Sequence, residues 1–326
     1  MRKGLGVCLL CTCFLTDCSS CTVNKKEIYV GKKKVTAVMP SSPISDNSKK
    51  ELEKTCPQIN FSECGNSKTN SAFCTESELK EKVTHLKNAL KAQIIWAVRG
   101  GHGSYHLIKF LRNLFNDPQN KTLIEKKILI GYSDITVLLL ATSIWFGWKN
   151  IHGAMLMDCL DANKETNNVL SVTRYLNGVQ LPKIDKIKPL NKFAEQSKTI
   201  EAELTGGNLT ILQLSIGTNW QVNAKNKIIL IEDVRELPYK LDRMLTHLDQ
   251  AGIFEGCLGI IFGEFVCENK SDKRDTALVL QNFADTMPIP VYQTDKFGHG
   301  KINLPFAYNT LYELQKHPAG FVLSQK

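Results

Sequence analysis

Short apolar runs that break at glycine or proline and give way to a helical pattern constrain this chain more than any other feature. Lys34–Met39 (KVTAVM) stops at Pro40-Ser41-Ser42-Pro43, Ile94–Val98 runs into Arg99-Gly100-Gly101-His102-Gly103, and Lys127–Ile130 runs into Gly131-Tyr132-Ser133-Asp134. Helical periods lie between and after them. Glu76–Leu90 carries Leu79, Val83, Leu86 and Leu90 on one stripe, opened by Thr75 and Glu78 at capping-box spacing; Tyr105–Leu114 and Ile135–Trp145 follow. Strands alternating with helices form parallel βαβ units, whose loops at the carboxyl ends of strands build binding sites. The predicted fold is therefore α/β, with a parallel sheet in the N-terminal part.

At 326 residues the chain exceeds one comfortable core, so two domains are expected. The predicted boundaries are an N-terminal α/β domain over 34–161, a polar connector over 162–199 with one weak helix near Val169–Leu176, and a smaller α+β C-terminal domain over 200–326. From Pro43 to Cys74 the chain is rich in Ser, Asn, Lys and Cys and reads as a surface excursion. In the second half, Thr205-Gly206-Gly207-Asn208 reads as a turn opening a helix through Leu214, and Lys227–Val234 as a strand. Pro238 opens a helix with Leu241, Met244, Leu245 and Leu248 on one face, closed by Gly252. Cys257–Val266 reads as a strand, Thr276–Phe283 as a helix and Pro290–Gln293 as a last short strand.

The N-terminus opens with Met1-Arg2-Lys3 and an apolar stretch, Gly4–Leu15, of signal-peptide length. An export segment over 1–21 is expected, with Cys18 and Cys21 both candidates for acylation and membrane attachment through a lipid. The expected location is periplasmic or membrane-anchored, with a cytoplasmic protein as the alternative. Five of the eleven cysteines fall within this segment. Cys56, Cys64 and Cys74 lie in the polar excursion, where an exposed thiol in an oxidising compartment favours a disulfide among them. The net charge of +9 is spread along the chain without aromatic-interleaved basic motifs, so no nucleic-acid partner is expected. Oligomeric state is open, a homodimer included.

Four segments could carry chemistry. Gly131-Tyr132-Ser133-Asp134 places a hydroxyl on a tight strand-to-helix turn, where free helix N–H groups suit an oxyanion. Locally the serine is equally what a helix N-cap requires, and local features alone favour that role. Arg99–Gly103 lacks both the dinucleotide fingerprint and the Walker lysine, leaving a pocket-lining loop or a plain turn. Glu232-Asp233 interrupts an apolar strand; a buried carboxylate needs a cation, a histidine or backbone donors, with Arg235 or Arg243 as the structural alternative. Strand physics does not choose between the two carboxylates. His299 lies between glycines in a loop, where close approach suits a general base. His102 and His106 are four apart but lack a third ligand, so neither metal nor other cofactor is expected.

Taken together the segments resemble the LD-carboxypeptidase family, which includes the microcin C self-immunity peptidases. The resemblance runs from about Lys34 to about Thr310 through motifs in family order. They are Pro-Ser-Ser-Pro, Arg-Gly-Gly-x-Gly at 99–103, Gly-Tyr-Ser-Asp at 131–134, His-Gly-x-Met at 152–155, Gly-Gly-Asn-Leu at 206–209, Ile-Glu-Asp-Val at 231–234, Asp-Arg-Met-Leu at 242–245 and Gly-His-Gly at 298–300. The resemblance implies a Ser-His-Glu triad of Ser133, His299 and Glu232, split between two domains across a cleft. It implies an oxyanion site from the Asp134 and Gly101 backbone beside Gly100, with Arg99, His102 and Asn208 contacting substrate. The implied reaction is removal of terminal D-alanine from a muropeptide tetrapeptide. Alternatives are the same triad acting on a peptidyl-nucleotide, or a muropeptide-binding protein without catalysis. The chain departs from the family at His102 (usually tyrosine), at Ala154 (usually proline) and in a shortened Lys301–Pro305, all of which bear on pocket shape.

Overall fold

A computed structural model describes residues 30–31, 33–64 and 74–326. The expected export segment lies outside them. The N-terminal sheet contains β1 (Val35–Val38), β2 (Ile59–Asn60), β3 (Ile94–Ala97), β4 (Ile128–Gly131) and β5 (Ile151–His152). β6 (Ile184–Pro189), β7 (Ile200–Asn208), β8 (Lys227–Val234), β9 (Gly259–Val266) and β10 (Val291–Gly298) follow, then β11 (Phe306–Ala307), β12 (Leu311–His317) and β13 (Gly320–Gln325). The sheet order is β11-β5-β4-β3-β1-β2, with β1 to β5 parallel and β11 antiparallel to β5. The other seven strands close a barrel, β10-β6-β13-β12-β7-β8-β9. Within it β7 to β10 are parallel, and β6, β12 and β13 complete the closure antiparallel.

The expected α/β architecture holds, and the reasons are local. β1 and β3 are buried at every position, as strands covered on both faces must be. Thr75 and Glu78 form the capping box of the helix Glu76–Ala89. The helix Thr136–Phe146 is buried from Thr136 to Ser143 and ends at Gly147, which takes the left-handed conformation at φ 65°. Burying each of its leucines contributes about 1.5 to 3 kcal/mol.

Several expectations fail. The excursion after Pro43 contains a helix, Asp46–Thr55, capped by the Ser45 side chain and buried only at Leu52, so it has almost no apolar stripe to read. Cys56 and Cys64 are buried, and they and Cys74 are free thiols; no disulfide joins them, because the fold tucks the first two into the core. The supposed connector holds its expected helix, at Thr166–Leu176, but also β6, a barrel strand, while β11 returns from the C-terminal part to the N-terminal sheet. The two units therefore interleave in sequence.

Gly206 and Gly207 do not form a turn. They lie just before the end of β7 at φ 129° and 126°, and their lack of side chains lets backbones meet. A Cβ on Gly207 would lie 2.6 Å from Thr136 Cγ2, so this strand end packs against the first turn of the Thr136–Phe146 helix. A Cβ on Gly206 would drive into the Leu230 carbonyl. Gly206→Ala is expected to cost about 3 kcal/mol, from strain at positive φ and displaced backbone, read as a lower denaturant midpoint with unchanged slope.

Candidate active site

The loops after β1, β3 and β4 lie side by side at the carboxyl ends of neighbouring strands. Ser133 stands in the third, at φ 62°. A non-glycine residue there is strained by about 1 kcal/mol or more, and such strain persists only where the surroundings impose it. The surroundings are visible. The buried Asp134 carboxylate accepts from Ser41 Oγ at 2.5 Å and from the Ser104 N–H at 2.9 Å, and Ser104 Oγ donates to the Asp134 carbonyl at 2.7 Å. The other two loops are thereby tied to this turn. Gly100 lies against the serine: a Cβ there would come within 2.9 Å of Ser133 Cβ and 3.1 Å of its Oγ. Gly101, at φ 116°, similarly makes room for Ser42.

The barrel supplies the opposing groups. Glu232 is fully buried near the end of β8. His299 follows Gly298, the last residue of β10, so the imidazole leaves a strand end and not the free loop its glycine neighbours imply. Gly298, at φ 114°, brings the two strands together; a Cβ there would lie 3.0 Å from Glu232 Cβ. Nδ1 of His299 stands 2.5 Å from Oε2 of Glu232, and the His299 side chain is 14% exposed, which leaves its outer edge reachable. The His299 ring meets the edge of Tyr132, the residue before Ser133, with centroids 4.9 Å apart. The neighbour of Ser133 thus touches the imidazole across the junction of sheet and barrel.

Electrostatics follow from this packing. Burial works to raise the Glu232 carboxyl, but His299, with a further contribution from His152, outweighs it and holds the group down to about 2. Burial works to lower the His299 imidazole, and Glu232 overrides it and raises the group above its ordinary range. Both directions describe one ion pair. Asp233 is pushed up to about 6 by burial and by the neighbouring Glu232 charge. Its carboxylate accepts from Asn208 Nδ2 at 2.8 Å, the Thr210 N–H and hydroxyl at 2.9 Å each, and the Val234 N–H at 2.7 Å. Neither carboxylate pairs with Arg235 or Arg243: Arg235 approaches Glu268 and Arg243 covers the Tyr239 ring.

The other predicted contacts divide. Asn208 is buried, with one amide N–H given to Asp233 and its side-chain carbonyl capping the helix Leu209–Leu214. Arg99 donates to the Pro43 carbonyl at 3.2 Å and braces the Pro-Ser-Ser-Pro loop. His102 is exposed on the pocket loop, with Nδ1 3.3 Å from Ser42 Oγ. Among the described residues no group of three or more His, Cys, Asp or Glu is arranged to hold a metal.

Sequence reasoning missed Lys164, in the supposed connector. Its ammonium donates to the carbonyls of His299 at 2.6 Å and Gly300 at 2.7 Å, and lies 5.5 Å from the Tyr132 ring centroid. Asn168 continues the clamp by donating to Lys301 O at 3.0 Å and accepting from Asn303 N at 2.9 Å. Partners 135 residues apart leave no local signal. Lys164→Met should lower kcat about tenfold and move the acid limb of the rate profile to higher pH, because the lysine charge depresses His299. Arg at this position should restore most of both, and pH–rate profiles of the two variants provide the check.

Comparison with known sequences decides the family. The profile of the LD-carboxypeptidase N-terminal domain matches residues 35–153, and that of the LD-carboxypeptidase C-terminal domain matches residues 201–314. The chain belongs to the LD-carboxypeptidase family. Ser133 and His152 fall in the first match, Glu232 and His299 in the second. A protein of Rickettsia conorii, provisionally named a carboxypeptidase, is 46% identical over 218 residues, spanning 67% of this chain and 66% of its own length. The murein tetrapeptide carboxypeptidase of Pseudomonas aeruginosa is 30% identical over 224 residues, spanning 66% of this chain and 69% of its own. The crystal structure of muramoyltetrapeptide carboxypeptidase from Oxalobacter formigenes superposes with a TM-score of 0.70 at 20% identity, covering 89% of this chain and 98% of that one. That likeness concerns the fold.

Proposed function

We propose that this LD-carboxypeptidase family member is a serine peptidase that hydrolyses the L–D amide bond of peptidoglycan-derived tetrapeptides and releases terminal D-alanine. The observation that carries the reading is the buried Glu232–His299 pair, whose imidazole meets Tyr132, the residue before the strained Ser133. In this mechanism Nδ1–H of His299 donates to Glu232, so Nε2 is free to take the Ser133 proton as Oγ attacks the amide carbonyl. The oxyanion of the tetrahedral intermediate accepts from the backbone N–H groups of Asp134 and Gly101. Protonated His299 then gives its proton to the leaving amine, D-alanine departs, and an acyl-enzyme on Ser133 remains. Water, deprotonated by His299, hydrolyses the ester and restores the serine.

Incubation with a disaccharide-tetrapeptide, followed by mass spectrometry, is expected to show stoichiometric release of D-alanine and a tripeptide product. A protein that binds the muropeptide without releasing D-alanine overturns the reading. We also propose that the segment 1–21 directs export, on the strength of its charged start and apolar stretch. Mass analysis of protein recovered from its native host tests this: an intact Met1 in the soluble cytoplasm refutes it.

A further inference from the structure

Buried polar atoms almost always find partners, and the exceptions ask for a reason. Among the described residues four buried side-chain polar atoms lack a hydrogen-bond partner: both ring nitrogens of His152, Oε1 of Glu232 and Nδ2 of Asn303. Three of the four belong to one place. Nε2 of His152 faces Oε1 of Glu232 at 3.9 Å, with both side chains fully buried. One can be a donor and the other, ionised, only an acceptor. Glu232 thus has an imidazole on each oxygen, His299 on Oε2 and His152 on Oε1.

The setting of His152 is built and rigid. It ends β5, paired with Gly131 of β4 on one side and Phe306 of β11 on the other. Its ring stacks on Phe306 with centroids 4.6 Å apart and planes 12° apart, and Phe297 and Tyr132 close two further sides. A ring needed only for packing would be served by phenylalanine, which leaves no buried nitrogens without partners. A carboxylate touched on one oxygen alone can rotate; one held on both cannot. The approach also crosses the junction, since His152 belongs to the sheet that carries Ser133 and Glu232 to the barrel that carries His299.

We propose that His152 is a positioning residue of this site: in its neutral form it donates from Nε2 to Oε1 of Glu232, fixing the carboxylate that orients His299. A movement of roughly 1 Å brings the two atoms to hydrogen-bond length, and catalytic hydrogen bonds commonly tighten when substrate binds. The proposal rests on the serine-peptidase reading. It adds a fourth side chain to the relay and assigns it to the nucleophile's own sheet.

The test follows covalent labelling of Ser133 by a fluorophosphonate probe, as rate against pH, together with turnover of the disaccharide-tetrapeptide. His152→Phe keeps the stacking and deletes the donor. His152→Gln puts an amide N–H where Nε2 stands, and His152→Asn puts one where Nδ1 stands, away from Glu232. The phenylalanine and asparagine variants should lose about tenfold to a hundredfold in labelling rate and kcat, with KM little changed, the scale at which partners one contact removed from the reacting atoms act. Their acid limbs should move to higher pH, because a carboxylate stripped of its second donor holds the His299 proton more tightly. Glutamine should recover most of the rate and the limb. Lys164, Tyr132, Asp233 and Tyr308 also bear on the Glu232–His299 pair and stay the same in every variant, so the differences report on position 152. If the phenylalanine variant does not fold, the glutamine–asparagine contrast decides alone. A wild type that labels at Ser133 beside variants that are equally fast, or equally slow with unmoved limbs, overturns this proposal alone. A wild type that takes no label overturns the peptidase reading and the proposal with it.

Discussion

Ser133→Ala is expected, on the proposed mechanism, to reduce kcat for D-alanine release about a millionfold while binding of the tetrapeptide persists. Removing the nucleophile of a serine triad removes the covalent route, and only binding and oxyanion stabilisation remain. The backbone makes a second, opposite prediction. Ser133 sits at φ 62°, where glycine is unstrained and serine is not. Ser133→Gly should therefore be as inactive as the alanine variant yet more stable than wild type by about 1 kcal/mol, since strain held at a functional residue is released. Calorimetry would register this as a melting temperature raised by about 2 °C. Turnover within tenfold of wild type in the alanine variant would remove Ser133 from the mechanism. A destabilised glycine variant would show that the turn is not strained for the sake of its hydroxyl.

That the turn carrying Ser133 could be placed before its partners reflects how locally each signal is written. An apolar strand, a glycine, a hydroxyl and a helical stripe occupy consecutive positions from Lys127 to Trp145, so the strand–turn–helix of Ser133 is legible in one window. The choice of Glu232 over Asp233 was not. Strand alternation places them on opposite faces and says nothing of which face meets a histidine 67 residues on. The motif resemblance chose, and the faces of β8 explain the choice: Glu232 turns toward His299, while Asp233 turns to the Asn208 and Thr210 donors. The hairpin of β12 and β13 was missed because its partners are the distant β6 and β7 and its strands alternate only weakly. The Gly206-Gly207 step misled for a similar reason. Two glycines mark either a turn or a close approach of backbones, and only the facing Leu230 and Thr136 tell which. Lys164 and Asn168 were lost in a polar stretch because the carbonyls that need them lie at 299 to 301.

Glu232→Gln is expected to lower kcat about ten-thousandfold and to shift the pH dependence of what remains. Loss of the carboxylate from a triad misplaces the histidine proton as well as removing charge. In the proposed mechanism the wild-type His299 must be neutral to accept the Ser133 proton, and Glu232 raises its pKa, so kcat/KM should fall on the acid side with a limb above the ordinary histidine value of about 6.5. In the glutamine variant the charge is gone. Burial, the largest influence on His299 and one that lowers it, is then opposed only by the more distant Asp233, and the limb should drop below that value. Stability carries the same signature with its own signs. Glu232, held down to about 2, contributes stability above its unfolded pKa and loses it as pH falls toward that value. His299, raised, contributes most fully below about 6.5 and loses its contribution as pH rises through its folded pKa. The pair therefore stabilises most between about pH 4.5 and 6.5, and Glu232→Gln should flatten the stability curve across that window. Denaturant titrations at several pH values and kcat/KM profiles of both proteins measure the two effects independently. A limb that stays in place when the carboxylate is removed would mean that His299 takes its basicity from elsewhere, and the pairing at 2.5 Å would then be structural and not catalytic.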